Sequence, residues 1–310
     1  MRILMLGAGG TGGYFGGRLA EAGMDVSFLV RPARAAHLAA HGLVVRSPCG
    51  DIAIPVKAVT ADRLDSVHDV IILSCKAYDL DDAIRAIHPA VGPRTIVLPL
   101  LNGLRHLARL DEAFGAERVI GGFCHIGVTL GAAGEIEHLN ALHTLTFGER
   151  SNERRARCDA IADVLRRARF DTVLSADILQ DMWEKFVMLT ALAAATCLMR
   201  ASVGDILAAS DGETTMLAML EECRAVAAAT GHPPRDAFLT GTRTLLTTRG
   251  AATTASMLRD IERGGRIEAD HIVGDMLNRA GALGVDAPLL RVAFCHLQAY
   301  EAGQSRRRNP

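Results

Sequence analysis

The chain has 310 residues, a formal net charge of −1 and 49% hydrophobic residues. That is length enough for two ordinary domains with a sizeable core. The near-zero charge argues against a nucleic-acid footprint, no apolar run reaches the ~18 residues of a membrane span, and the first residues lack the pattern of a signal peptide, so a cytoplasmic protein is expected, not bound to membrane or nucleic acid.

Ile3–Leu6 reads as a short buried strand, and Gly7, Gly9 and Gly12 follow at once in G-x-G-x-x-G spacing. Tyr14, Phe15, Leu19 and Ala20 then carry a helical pattern that stops near Gly23. Strand, glycine turn and helix together predict a dinucleotide site built from Gly7, Ala8, Gly9, Gly10, Thr11 and Gly12. The first glycine permits the turn, the second lets backbone approach a pyrophosphate, and the third lets helix and strand pack closely. The phosphates would sit on the helix N-terminus, where free N–H groups favour anions. The plain alternative is a structural turn in some other α/β protein.

Asp25–Val30 reads as the second strand, with Arg31 at its end and Arg34 just after. A carboxylate there would hold a ribose 2′-OH, whereas an arginine suits a 2′-phosphate. No acidic residue stands between Phe28 and His41, so NADP(H) is expected over NAD(H). Leu43–Val45 and Ile52–Ile54 read as short β segments around the turn Pro48–Asp51. Val70–Ser74 is a continuous apolar run, as an inner parallel strand requires, and it delivers Lys76 to the carboxyl end of the sheet, where ligands bind in doubly wound folds. Asp81–Ile87 reads as helix and Thr95–Leu101 as a strand ending in Asn102-Gly103. In residues 119–147, Phe123–Leu130, Glu135–His138 and Thr144–Phe147 read as short strands separated by glycines that extend the sheet with antiparallel pairs. Glu153–Arg167 reads as an Arg-rich helix and Val173-Leu174 as the last strand. From Asp177 the pattern is helical, which places a domain boundary near 174.

The seven cysteines, at 49, 75, 124, 158, 197, 223 and 295, are odd in number and form no C-x-x-C pair. Reduced thiols are expected, and no metal site, since Cys124-His125 has no second ligand pair nearby. Of 34 basic residues only Lys57, Lys76 and Lys185 are lysines. Lysine can lose its proton when desolvated and arginine effectively cannot, so a lysine kept in such a background is a candidate for proton chemistry. Lys57 sits in a polar segment and reads as a surface charge. Lys185 lies in the long apolar stretch 177–199, flanked at helical spacing by Asp181, Met182, Met188 and Leu189, which predicts partial desolvation and a lowered pKa. The alternative is a snorkelling surface lysine. Further on, Gly264-Gly265 breaks one helix and Glu268 is placed in the first turn of the next, to cap it or to face a cleft.

Taken together, Gly7–Gly12 with Arg31, Ser74-Cys-Lys76-Ala-Tyr78, Leu101-Asn102-Gly103, Trp183-Glu-Lys185, Ser256-Met-Leu-Arg-Asp260, Gly265-Arg-Ile-Glu268-Ala-Asp270 and Gly284-Val-Asp-Ala-Pro288 give the chain a resemblance, over essentially its whole length, to the ketopantoate reductases, the NADPH-dependent 2-dehydropantoate 2-reductases. The resemblance implies an α/β protein: an N-terminal Rossmann-type doubly wound domain over residues 1–174 and an all-helical domain over 175–310, with the active site between them. It implies that Lys185 protonates the carbonyl oxygen of a 2-oxo acid and that Lys76 and Asn102 lie at cofactor and substrate. It also implies that Ser256 meets the substrate carboxylate, that Glu268 is the cleft carboxylate and that Gly127 lies along the cofactor. Catalytic roles fall to Lys185, Glu268 and Asn102, cofactor contacts to the glycine loop, Arg31, Lys76, Asn102, Gly127 and Glu268, and the chain is expected as a monomer or homodimer.

One departure bears on substrate. The family carries asparagines one and two turns after the lysine and a third further along, and here Leu189, Ala193 and Val203 stand at those positions. Loss of polar partners weakens recognition of a substrate hydroxyl. The expected activity is reduction of ketopantoate to pantoate, the family's step in pantothenate biosynthesis. The alternatives are a paralogue acting on a more apolar 2-oxo acid and a non-catalytic NADP-binding module.

Overall fold

The structure is a computed structural model in which residues 1–151 and 155–308 are described. The chain divides into two compact units: Met1–Leu101 with His106–Leu179, and Asn102–Arg105 with Gln180–Pro310.

The first unit holds ten strands: β1 Arg2–Leu6, β2 Asp25–Leu29, β3 Leu43–Arg46, β4 Ile52–Ile54, β5 Lys57–Val59, β6 Val70–Leu73, β7 Ile96–Pro99, β8 Gly121–Leu130, β9 Ile136–Gly148 and β10 Asp171–Leu174. One sheet runs β5-β2-β1-β6-β7 and is parallel throughout. Strands β6 and β7 are wholly buried, as are four of five residues in β1 and β2, which is why they read as unbroken apolar runs. The order reverses at β1, and the glycine turn follows β1 there, at the switch point where doubly wound sheets bind ligands.

Residues 119–147 depart from the sequence-based expectation. They form not several short strands but two long ones, and these build a second sheet rather than widening the first. β9 pairs antiparallel with β8 and parallel with β3 and β10, and β3 carries β4. Phe123–Leu130 falls within β8, while Ile136–His138 and Thr144–Phe147 are parts of the one strand β9, which runs on through residues 139–143. Within β8 the register slips between Ile126 and Val128, so Gly127 is absorbed as a bulge. Val119 is bridged to Val97 of the first sheet, and the Ile120 N–H donates to the Val97 carbonyl at 3.1 Å. Helix Ala156–Leu165 covers the central part of the stretch expected from Glu153 to Arg167; Glu153 and Arg154 lie outside the described residues.

The second unit is helical, with no strand among its described residues. Its first helix, Ile178–Met199, is long and apolar enough to cross a membrane by length and composition, yet 78% of that window is buried in the fold, as in a core helix. Val203–Ala208, Gly212–Ala229, Asp236–Leu246, Ser256–Glu262, Asp275–Leu283 and Pro288–Arg308 follow. Ser202 opens the helix Val203–Ala208 with a capping box to Asp205. All seven cysteines are free thiols.

Candidate active site

The glycine turn is built for close approach. Gly7 has φ +94, a conformation glycine adopts without penalty, and donates to the Leu29 carbonyl at 2.9 Å. A Cβ on Gly12 would collide with Ser74 Oγ and the Gly7 carbonyl, whereas one on Gly9 would meet nothing within 4 Å. Gly12 is therefore fixed by packing, whereas packing does not require a glycine at position 9. The helix Gly10–Glu21 starts with no side-chain cap and no acid in its first turn, so its first N–H groups, which no intrahelical carbonyl can reach, face an anion-ready opening. These residues fit a dinucleotide pyrophosphate. Val128, next to Gly127, comes within 3.1 Å of the Cβ position of Gly10, and Gly127 itself faces Asn140 Nδ2, 2.6 Å from its own Cβ position.

Arg31 and Arg34 separate in role. Arg34 Nε donates to the Ala8 carbonyl at 3.0 Å and Nη1 to the Gly134 carbonyl at 2.7 Å, so it braces the glycine loop from behind. Arg31 is 77% exposed in its side chain and pairs with Asp79 at 3.0 Å. Asp79 in turn donates its backbone N–H to the Lys76 carbonyl at 2.9 Å, which ties the Arg31 side chain to the half-buried Lys76 turn. Lys57 is exposed, in β5.

In the helical unit, Lys185 is buried, with 8% of its surface exposed. Its ammonium donates to Asn102 Oδ1 at 3.2 Å. Glu268 is buried too, but not in the first turn of a helix as expected: it stands just before the helical run that begins at Ala269, and accepts from Ile272 N through its backbone carbonyl. Gly264, at φ +66, closes the preceding helix, and Tyr300 from the last helix donates to the Gly265 carbonyl at 2.8 Å, pinning the strand-like segment that leads to Glu268. Ser256 opens the helix Ser256–Glu262. The preceding Ala255 N–H reaches Thr196 Oγ1 at 3.4 Å, three turns beyond Lys185 on the same helix. The structure thus joins Lys185 and Asn102 directly, and docks the Ser256 helix on the Lys185 helix farther along.

Partners that the sequence did not single out hold the backbone around Lys185. Glu184, buried, accepts from Arg235 Nε at 2.8 Å, Arg235 Nη2 at 2.6 Å and Arg235 backbone N at 2.8 Å, and Asp181 pairs with the same guanidinium. Trp183 lies under the Arg279 guanidinium at 5.2 Å and stacks on His232 at 5.5 Å. The sequence marked Glu184 through the Trp183-Glu-Lys185 motif but not its partner Arg235, which lies fifty-one residues away.

A ketopantoate reductase PanE/ApbA family model matches residues 3–152, and the corresponding C-terminal model matches residues 177–301. The chain belongs to the ketopantoate reductase family of oxidoreductases. It is 36% identical to an uncharacterized oxidoreductase, YkpB, of Bacillus subtilis over 97% of this chain and 99% of that protein. Among solved structures it is similar to a 2-dehydropantoate 2-reductase of Geobacter metallireducens, with 29% identity, TM-score 0.88 and coverage of 96% of this chain and 99% of that one. A ternary structure of D-mandelate dehydrogenase with NADH and anilino(oxo)acetate shares the fold at TM-score 0.89 and 20% identity, over 98% of this chain and all of that one.

Proposed function

We propose that the protein is an NADPH-dependent reductase of a 2-oxo acid, with 2-dehydropantoate (ketopantoate) as the default substrate by family. The observation that carries the reading is the buried Lys185 ammonium held on Asn102 Oδ1 at 3.2 Å, in a chain whose Gly9 backbone faces open space. The glycine loop and its helix N-terminus hold the dinucleotide, with Arg31 at the 2′-phosphate and Lys76 and Gly127 beside it. When bound, the dinucleotide supplies the hydride.

This chain's own residues supply the rest. Reduction puts negative charge on the carbonyl oxygen, and a donor aimed at that charge lowers the barrier. Lys185 gives its proton to that oxygen. Asn102 takes one of the three ammonium hydrogens and so orients the other two. Ser256 binds the substrate carboxylate, and the Glu268 carboxylate assists at the site. The test is purified protein with NADPH and a panel of 2-oxo acids, followed by absorbance of the reduced ring. Turnover of at least one acid is expected; tight NADPH binding with no turnover of any would leave a non-catalytic module.

The second reading, a more apolar 2-oxo acid, is favoured by the lysine helix. Leu189 and Ala193 follow Lys185 at one and two turns, and neither can accept a hydrogen bond from a substrate hydroxyl. On this reading a branched apolar oxo acid outcompetes ketopantoate, and Leu189→Asn shifts the preference toward ketopantoate by roughly 2- to 10-fold, the worth of one neutral hydrogen bond.

A further inference from the structure

The segment carrying Glu268 runs into a turn the sequence does not announce. Asp270–Gly274 is π-helical and leads into the helix Asp275–Leu283; such turns fit one extra residue into a helix and recur at functional sites. His271 lies in it, buried. Its carbonyl oxygen is 2.9 Å, and its ring Cδ2 3.1 Å, from the point where a Cβ on Gly103 would stand. Gly103 has φ +76, so a side chain there would be strained as well as in collision. The Asn102 backbone is hydrogen-bonded to the imidazole, and Glu268, Asp275 and Arg105 are the charged groups that act on it. Burial holds the imidazole below its ordinary pKa against the pull of the two carboxylates. Asp275 accepts from Arg279 Nε at 3.0 Å, and Arg279 covers Trp183, two residues before Lys185. The chain of contacts therefore closes on itself: His271, Asn102, Lys185 and, through Trp183, Arg279 and Asp275, back to the His271 turn.

We infer that His271 is a positioning residue that seats the Asn102-Gly103 turn so that the Asn102 oxygen meets the Lys185 ammonium. It acts through Asn102. Its consequence for catalysis rests on Lys185 being the proton donor, but its test does not need turnover. With only three lysines in the chain, a protein labelled with ε-¹³C lysine gives three NMR signals, each assigned by its own Lys→Arg variant. His271→Ala is expected to move the Lys185 signal and its titration in the same direction as Asn102→Ala, with the double variant no further displaced and the Lys57 and Lys76 signals unmoved. Coincidence of the Lys185 signal with wild type, or shifts that add in the double variant, overturns the inference. If His271→Ala does not fold, His271→Leu fills the same space without a polar atom and is judged by the same two outcomes. In turnover, His271→Ala is expected to lower kcat about 100-fold, the cost of misplacing a reacting group by ~1 Å, with KM for NADPH unchanged and no further loss in the Asn102→Ala background. A wild-type protein that reduces no 2-oxo acid would end the functional reading and leave the NMR result to decide this one.

Discussion

Lys185 Nζ and Asn102 Oδ1 stand 3.2 Å apart, although eighty-three residues separate them in the chain. The ammonium is buried on the first helix of the second unit, and its partner comes from the short segment Asn102–Arg105 that clusters with that unit. A lysine so placed is oriented by a side chain that cannot itself become charged. Lys185→Ala is therefore expected to lower kcat by roughly 10²- to 10⁴-fold, the range for loss of a general acid. NADPH affinity, measured by fluorescence titration, should stay within about 2-fold, since that binding is assigned to the other unit's glycine loop. An equal loss of cofactor affinity would remove Lys185 from the role.

The two glycines of the loop separate binding from folding. A methyl on Gly9 meets nothing within 4 Å, and one on Gly12 meets Ser74 and the Gly7 backbone. Gly9→Ala should leave Tm unchanged and weaken dinucleotide binding at least 10-fold, because the methyl enters the space the pyrophosphate needs. Gly12→Ala should lower stability by about 1–3 kcal/mol, the usual cost of overpacking, and lose binding as a consequence. If Gly9→Ala binds the dinucleotide as wild type does, the open space above it is not the phosphate site.

What the sequence could convey follows from how local each signal is. The β1–glycine–helix unit is contiguous, and every part of it constrains its neighbours within about ten residues, so its position was legible. The apolar runs of β6 and β7 were legible because both faces are buried. The second sheet was not: β9 takes β3 and β10 as parallel partners, and such pairing leaves no mark in the spacing of either strand. Arg34 read as a companion of Arg31 at the nucleotide, yet its carbonyl partners Ala8 and Gly134 give it a bracing role that charge alone does not reveal. Arg235 and His271 went unnoticed because an arginine or a histidine in isolation has no periodicity, and their meaning lies in Glu184 and Gly103.

The proposed cofactor preference rests on Arg31, whose guanidinium is paired with Asp79. At 77% exposure the Arg31–Asp79 pair contributes little to stability, so Arg31→Ala should leave Tm within about 1 °C. If the guanidinium meets a 2′-phosphate, its loss removes a charge-assisted hydrogen bond worth about 1.5–3 kcal/mol and should raise KM for NADPH roughly 10- to 100-fold while KM for NADH barely moves. Asp79→Asn frees the guanidinium and should sharpen the preference for NADPH. Kinetics with both nucleotides decide it, and equal effects on the two would withdraw the 2′-phosphate from Arg31.

Glu184 stands next to Lys185, the proposed proton donor. Burial would push its carboxyl above the ordinary range, but the Arg235 guanidinium and backbone N–H, with Gln180, outweigh burial and hold it below. A depressed carboxylate contributes stability that is present above its unfolded value, about 4.3, and is lost as pH falls through the lower folded value. Removing Arg235 reverses the balance: burial then dominates, the Glu184 pKa rises, and an ionised buried acid is left without its partner at neutral pH. Arg235→Ala should cost about 1–3 kcal/mol at pH 7, and the loss should shrink toward pH 4.5 as Glu184 takes up a proton and no longer needs the cation. Thermal melts of both proteins across that range measure the difference. A gap in Tm that does not narrow with falling pH would mean that Arg235 acts through packing of its stem rather than through the charge on Glu184.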